Sequence, residues 1–250
     1  MTVTINGKAC QCEPGEYILA IASRNGVEIP ALCHHEGLPG QGCCRVCVVE
    51  VEIGGRRNIV TSCNYPVERE CGVFTASERV ERNRRATLSL LRARAPESEQ
   101  VKALCETYGA AANPRFTAQP DGKCVLCGLC VRACQSLGTG AISTVNRGVD
   151  KAVSTPYDEP SAACVGCASC ARVCPTGAIE VKEEGFRRNI WNKSFPLRAC
   201  KKCGARFATL VELRRAAVKI GAEIPDVCES CRRKAISSVM SETYRPPAPL

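Results

Sequence analysis

The sequence predicts an α+β fold built from four consecutive small segments. Three observations predict it. Twenty-one of the 250 residues are cysteine, and most fall into tight clusters rather than scattered pairs. The N-terminal segment reads hairpin, helix, hairpin. Aromatic residues make up only 4% of the chain, so no single large aromatic core is expected. Several small domains, each stapled by bound metal, fit better, because a small core alone rarely supplies enough stability.

Residues 1–78 alternate in strand fashion. Thr2 to Ile5 and Lys8 to Gln11 flank Asn6-Gly7, the dipeptide whose left-handed conformation matches strand twist. Tyr17 to Asn25 carries Ile18, Ile21 and Ala22 on one helical face, and Gly26 stops it. Val46 to Ile53, the Gly54-Gly55 turn and Arg57 to Cys63 make a second hairpin. Together these form a β-grasp pattern. Residues 79–113 read as a helical linker, with Val80, Leu88, Leu91, Val101 and Leu104 as its apolar positions. Pro96 is expected to start the second helix of this linker, Glu97 to Tyr108. Its arginines, Arg82, Arg84, Arg85, Arg92 and Arg94, read first as a solvated face and second as a contact surface for an acidic partner.

Residues 114–188 hold the strongest motif. Cys164, Cys167, Cys170 and Cys174 read Cys-x-x-Cys-x-x-Cys-x-x-x-Cys, closed by Pro175, and Cys124, Cys127, Cys130 and Cys134 repeat the run upstream. Two such runs are the signature of a two-cluster 4Fe–4S ferredoxin module, in which each fourth cysteine serves the other cluster. Three thiolates in a tight loop cap one face of a cube, and the fourth lies on the helix leading to the neighbour. One 4Fe–4S cluster is therefore expected on Cys124, Cys127, Cys130 and Cys174, and the other on Cys164, Cys167, Cys170 and Cys134. Zinc is the weaker alternative, because zinc sites use cysteine pairs rather than triplets.

Cys33, Cys44, Cys47 and Cys63 form another constellation in the N-terminal segment. The plant-type 2Fe–2S spacing is Cys-x4-Cys-x2-Cys with a distant fourth ligand. The gap from Cys33 to Cys44 is longer than that, and a zinc or disulfide arrangement is the alternative. Cys43 precedes Cys44, but the two-residue gap to Cys47 makes Cys44 the expected ligand and Cys43 a small buried residue. Cys10, Cys12, Cys71 and Cys105 read as non-ligands.

The phrases Ile29-Pro30-Ala31-Leu32-Cys33, Cys44-Arg45-Val46-Cys47-Val48-Val49-Glu50-Val51, Thr61-Ser62-Cys63 and Lys123-Cys124-Val125-Leu126-Cys127-Gly128-Leu129-Cys130-Val131-Arg132 carry a resemblance. Over about residues 1–182 the chain resembles the ferredoxin-like start of the large iron–sulfur subunit of respiratory NADH dehydrogenase. It is also similar to the small iron–sulfur (diaphorase) subunits of NAD-linked hydrogenases and to the N-terminus of iron-only hydrogenases. The resemblance implies a 2Fe–2S cluster on Cys33, Cys44, Cys47 and Cys63. Many of those relatives carry a further cluster held by one histidine and three cysteines. Here the corresponding stretch, Leu91 to Glu99, has no histidine, and Cys105 is the only cysteine nearby, which implies that this cluster is missing. His34 and His35 are the only histidines and read as loop residues without a second function.

Residues 189–250 carry Cys200, Cys203, Cys228 and Cys231, two pairs framing a helix from about Leu210 to Ile220, and a Pro-rich tail expected to be extended or disordered. Such pairs suit a structural Zn2+, with a further 4Fe–4S cluster or a free-thiol site as alternatives. The predicted architecture is thus a β-grasp 2Fe–2S ferredoxin domain, a helical linker, a two-cluster ferredoxin domain and a small zinc-ribbon-like domain.

The formal charge of +9 counts every cysteine as neutral. A centre held by four thiolates around a core of about +2 carries ~−2. Three clusters and one zinc site would bring the loaded chain to about +1, which removes most of the case for nucleic acid. Met1 to Ile5 runs straight into a hairpin without a signal peptide, so the clusters read as metal sites in a reducing, cytoplasmic setting rather than as disulfides. No stretch reaches the roughly 20 apolar residues of a membrane span. No dinucleotide fingerprint, flavin motif or nucleophile–base pair is evident. The expected function is an electron-transfer subunit of a larger oxidoreductase. The resemblance implies its partners: a flavin-containing NAD(P)H-binding subunit, and a catalytic redox subunit such as hydrogenase or formate dehydrogenase, or else ferredoxin. A free-standing electron carrier and a cluster-containing zinc-ribbon regulator are the alternatives.

Overall fold

Asn6 and Gly7 adopt left-handed backbone angles, φ 49° and 85°, and fold Thr2–Ile5 (β1) back on Lys8–Gln11 (β2). The computed structural model describes residues 1–224 and 226–243; the Pro-rich tail lies outside them. The chain divides into two units. The first comprises Met1–Ser136, Thr144–Val153 and Ser169–Ile179; the second comprises Leu137–Ser143, Ser154–Ala168 and the chain from Glu180 onward.

In the first unit, Ile18–Arg24 (α1) buries Ile18, Leu19, Ile21 and Ala22. Val48–Ile53 (β3) pairs antiparallel with Arg56–Thr61 (β4), and Gly72–Phe74 (β5) lies between β1 and β3. The sheet order is β2-β1-β5-β3-β4, with β1 and β5 parallel. Val3, Ile5, Val49, Val51 and Val73 share one core with α1. Asn6 also ties the hairpin turn to the end of β5. Its side-chain amide donates to Thr75 Oγ1 at 2.7 Å, and its Oδ1 accepts the Thr75 N–H at 2.9 Å.

Glu78–Arg94 (α2) starts at Ser77, whose hydroxyl accepts the Val80 N–H. Glu99–Thr107 (α3) starts at Ser98, whose hydroxyl accepts the Val101 N–H. That cap, rather than Pro96, fixes the start of the helix. The arginine run of α2 is not a uniformly solvated face. Arg84 is 3% exposed and donates to the carbonyls of Val46, Val48 and Thr75, with its guanidinium over the Tyr108 ring. Arg94 donates to the carbonyls of Val149 and Lys151. Leu129–Ser136 (α4) packs against the one-turn helix Ser169–Arg172 (α5). Ser143–Val145 (β6) and Ala152–Ser154 (β7) form a two-stranded ribbon.

The second unit holds a four-stranded antiparallel sheet that the sequence pattern does not predict. Lys182–Glu184 (β8), Arg187–Ile190 (β9), Lys193–Ala199 (β10) and Arg206–Thr209 (β11) lie in the order β11-β10-β9-β8. Ile190, Phe195, Leu197 and Ala208 are its buried hydrophobic residues. Leu210–Ile220 (α6) matches the expected helix. Thr209 and Glu212 form a reciprocal capping box at its start, and Gly221 ends it in the left-handed conformation. Glu229–Thr243 (α7) follows. The molecule is α+β, as the sequence predicts. No helix among the described residues is long and apolar enough to cross a membrane.

Candidate metal centres

Cys33, Cys44, Cys47 and Cys63 are all buried, and none is in a disulfide. Cys33 closes the loop after α1, Cys44 and Cys47 lie on the turn into β3, and Cys63 follows β4. The Cys44 N–H donates to Cys33 Sγ at 3.4 Å. Hydrogen bonds from the Cys44 and Cys63 thiols hold Cys33 far below the usual thiol range. The same contacts push Cys44 and Cys63 far above it. Cys47 is drawn down to about 6, first by its hydrogen bond with Cys63. Four sulfurs thus crowd one buried spot and compete for protons, which suits a cationic centre that displaces those protons. Gly40 allows the loop to close: a Cβ there would lie 2.1 Å from the Cys63 carbonyl oxygen. The Ser62 hydroxyl fixes the opposite side by donating to the Cys47 carbonyl at 2.8 Å.

Cys43 is exposed, not buried as its sequence neighbourhood implied. Its thiol donates to the Cys127 carbonyl at 3.2 Å and lies within hydrogen-bonding reach of Cys33, at the edge of the four-sulfur pocket. Cys10, Cys12 and Cys71 lie in the β-grasp core, and Cys105 lies in the core beneath α2, where its thiol donates to the Leu88 carbonyl. His35 caps a turn by accepting the Gly37 N–H at Nδ1.

The two cysteine runs share a backbone pattern. In the first, Leu126 and Gly128 have φ of 53° and 72°; in the second, Gly166 and Ala168 have φ of 69° and 59°. The left-handed residues thus flank Cys127 and Cys167 at equivalent positions. Such turns aim backbone N–H groups into a concavity that favours negative charge. In the first run the Leu126 N–H donates to Cys124 Sγ at 3.4 Å. Burial pushes Cys127 up to about 11 and Cys130 up to about 12, with Cys124 and Cys174 near enough to add to the rise. Cys174 Sγ accepts the Ala178 N–H at 3.3 Å. Cys124, Cys127, Cys130 and Cys174 all belong to the first unit. Of the other set, Cys134 and Cys170 belong to the first unit and Cys164 and Cys167 to the second.

One core joins the first two constellations. Leu32, Cys33, Cys44 and Val46 are packed in the same buried cluster as Val125, Cys127 and Leu129, with Leu88, Ala95 and Val101 beneath.

In the second unit the sulfurs of Cys200, Cys203, Cys228 and Cys231 lie within 4.8 Å of one another, and Cys203 and Cys228 are 3.7 Å apart. Cys200 accepts the N–H groups of Cys228 at 3.3 Å and Lys202 at 3.4 Å. These amides, the Cys228 N–H above all, draw it down to about 6. Hydrogen bonding with Cys203 pushes Cys231 up to about 12. Asp226 braces the two halves, accepting from Arg198 Nε at 2.7 Å and pairing with Lys201 at 3.1 Å.

Residues 1–78 match the 2Fe-2S iron-sulfur cluster binding domain family, and residues 123–178 match the 4Fe-4S dicluster domain family. An NADH-quinone oxidoreductase component from Rhizobium meliloti is 29% identical over 240 residues, which is 85% of this chain and 28% of that protein. The HndD component of the NADP-reducing hydrogenase of Solidesulfovibrio fructosivorans is 33% identical over 210 residues, 72% of this chain and 36% of that protein. The chain therefore spans about a third of the length of these curated relatives. One chain in the crystal structure of an NAD+-reducing NiFe hydrogenase in its H2-reduced state is 31% identical, with a TM-score of 0.62 over 74% of this chain and 88% of that one. With both domain families present in this order and that likeness along most of its length, the chain belongs to the ferredoxin-type iron–sulfur family found in NADH-quinone oxidoreductases and NAD-linked hydrogenases.

Proposed function

We propose that this chain is the iron–sulfur electron-transfer subunit of a multi-subunit cytoplasmic oxidoreductase. It relays single electrons between a flavin-containing NAD(P)H-oxidising subunit and a catalytic redox subunit, such as a hydrogenase or formate dehydrogenase, or ferredoxin. One observation carries this reading: Cys33 and Cys44 of one constellation share a packed core with Cys127 of the next. In this reading Cys33, Cys44, Cys47 and Cys63 hold one 2Fe–2S cluster. Cys124, Cys127, Cys130 and Cys174 hold one 4Fe–4S cluster, and Cys164, Cys167, Cys170 and Cys134 hold the other. Bound clusters of these types each exchange one electron. The protein's part is to keep the thiolates buried, to orient them by backbone N–H donors, and to exclude water from the shared core.

Cys200, Cys203, Cys228 and Cys231 are assigned to a structural Zn2+. Ligand sulfurs around one tetrahedral zinc ion, each ~2.3 Å from the metal, lie ~3.8 Å from one another. The 3.7 Å approach of Cys203 and Cys228 supports a single ion. A four-iron cube binds each thiolate at a separate corner and holds the sulfurs farther apart. This domain adds no redox step and is assigned to docking.

Anaerobic purification from the native host tests the whole reading. A co-purifying flavin-containing chain, and cluster reduction on adding NADH or NADPH, are the expected results. A lone chain whose clusters ignore both nucleotides would leave a free-standing carrier as the better reading.

A further inference from the structure

Arg132 lies on α4, two residues after Cys130 and two before Cys134, and is the only charged residue of that helix. Its side chain leaves the helix for the loop of Cys33. Nη2 donates to the Cys33 carbonyl at 2.9 Å, and Nη1 donates to the Pro39 carbonyl. Nε is buried and has no hydrogen-bond partner. Among the described residues no carboxylate pairs with this guanidinium. A partly buried cation that meets only neutral carbonyls keeps its charge uncompensated, and retaining one there calls for a counter-charge nearby.

We propose that Arg132 is a positioning residue that both aligns the Cys33 loop on α4 and raises the reduction potential of the centre on Cys33, Cys44, Cys47 and Cys63. The proposal rests on the cluster assignment above. Two features of the side chain serve the two roles. Its planar fork reaches the two carbonyls through two separate nitrogens in a fixed geometry, which the single ammonium of a lysine cannot reproduce, and so fixes the spacing between the loop and the helix. Its charge lies beside a centre of about −2, and reduction adds one more negative charge there. A fixed neighbouring cation stabilises the reduced form more than the oxidised form, and charge and hydrogen bonding near a cluster are established levers on its potential. The counter-charge sought by the unpaired guanidinium is then the loaded centre itself.

The test is a dithionite titration of the loaded full-length chain, followed by electron paramagnetic resonance, for the unsubstituted protein, Arg132→Gln and Arg132→Lys. Arg132→Gln should lower the reduced-to-oxidised ratio of the 2Fe–2S centre at fixed poise about tenfold, a fall of ~59 mV for a one-electron couple. Arg132→Lys should stay near the unsubstituted potential while losing thermal stability. An unshifted Gln variant overturns the proposal, as does a Lys variant shifted as far as Gln. If the Gln variant fails to assemble its centre, the Lys variant decides: an unshifted potential supports the electrostatic role, and a lowered one overturns it. Loss of the centre in both variants reduces Arg132 to a structural clamp and overturns it too. Absence of a 2Fe–2S signal in the unsubstituted chain sinks the ligand assignment instead, and this inference with it.

Discussion

The thiol of Cys43 donates to the carbonyl of Cys127, 84 residues away, at 3.2 Å. The contact ties the turn that carries Cys44 and Cys47 to the first loop of the dicluster segment. It also distinguishes two adjacent cysteines: the Cys44 sulfur is buried among the four thiols, and the exposed Cys43 sulfur bonds a neighbouring loop at the edge of that pocket. Cys44→Ser should abolish the 2Fe–2S resonance, because an alcohol is a poor substitute for thiolate at iron. Cys43→Ser should preserve it, since a hydroxyl can make the same donation, with a stability change within about 0.5 kcal/mol. The opposite pattern would reverse the ligand assignment in this turn.

Metal content is the second prediction. One 2Fe–2S and two 4Fe–4S clusters correspond to about 10 iron atoms per chain. Anaerobic iron and acid-labile sulfide analysis measures this directly. About 14 irons would mean that the Cys200 site is another cube, and about 8 would remove the N-terminal cluster.

The third prediction concerns that Cys200 site. Metal binding supplies much of the folding energy of so small a unit. Cys228→Ser should therefore release zinc and unfold the chain from about residue 198 onward, while the cluster spectra persist. Limited proteolysis, zinc content and complex assembly are the readouts. Assembly that survives the loss of zinc would discard the docking role. A lost redox signal in a chain that never held zinc would identify a further cluster.

Arg84 supports the fourth prediction. Arg84→Leu strips the carbonyls of Val46, Val48 and Thr75 of a shared donor. A buried polar group left unpaired costs about 1–3 kcal/mol, so the variant should lose at least ~3 kcal/mol. Thermal unfolding of the loaded chain reads this. A midpoint unchanged from the unsubstituted protein would show that water replaces the guanidinium without cost.

Gly166 supports the fifth. A Cβ on this residue would lie 2.6 Å from the Phe195 ring, at a backbone φ of 69°. The Gly166 carbonyl also accepts from Arg188 Nη1 at 2.8 Å. Gly166→Ala should destabilise the second unit by ~1–3 kcal/mol through overpacking, with further strain from the left-handed backbone. Near-ultraviolet circular dichroism around Trp191 and Phe195 during heating follows this, and an unaltered transition would contradict it.

The sequence was legible where local chemistry and tertiary structure agree. Asn6-Gly7 marked the first hairpin, and the helix expected from about Leu210 to Ile220 between the two cysteine pairs is α6. It was illegible where tertiary contacts override local preference. The β9–β10 turn is Trp191-Asn192, both left-handed at φ 52° and 56°, and a tryptophan there gives no hairpin signal. Pro196 within β10 argues against a strand, yet β10 lies between β9 and β11. β5 has three residues, too few to show alternation. Arg84 looked like one more arginine on a charged helix, because nothing local indicates that three carbonyls converge on it. At the metal centres, the cysteine spacing marked the clusters of thiols but could not reveal which way Cys43 faces.

The common core under Cys33, Cys44 and Cys127 bears on oxygen damage. Segments that share buried contacts open as one cooperative unit, so their amides exchange with solvent together. Val46 and Leu129 belong to one such unit, although they flank different sets of thiols. Oxidative destruction at one centre should then loosen the seat of the other before any chemistry reaches it, and rebuilding should be similarly coupled. Hydrogen exchange after Cys127→Ser gives the measure: protection lost at both Val46 and Leu129 marks a shared fate, and protection lost at Leu129 alone marks two centres that can be damaged and repaired separately.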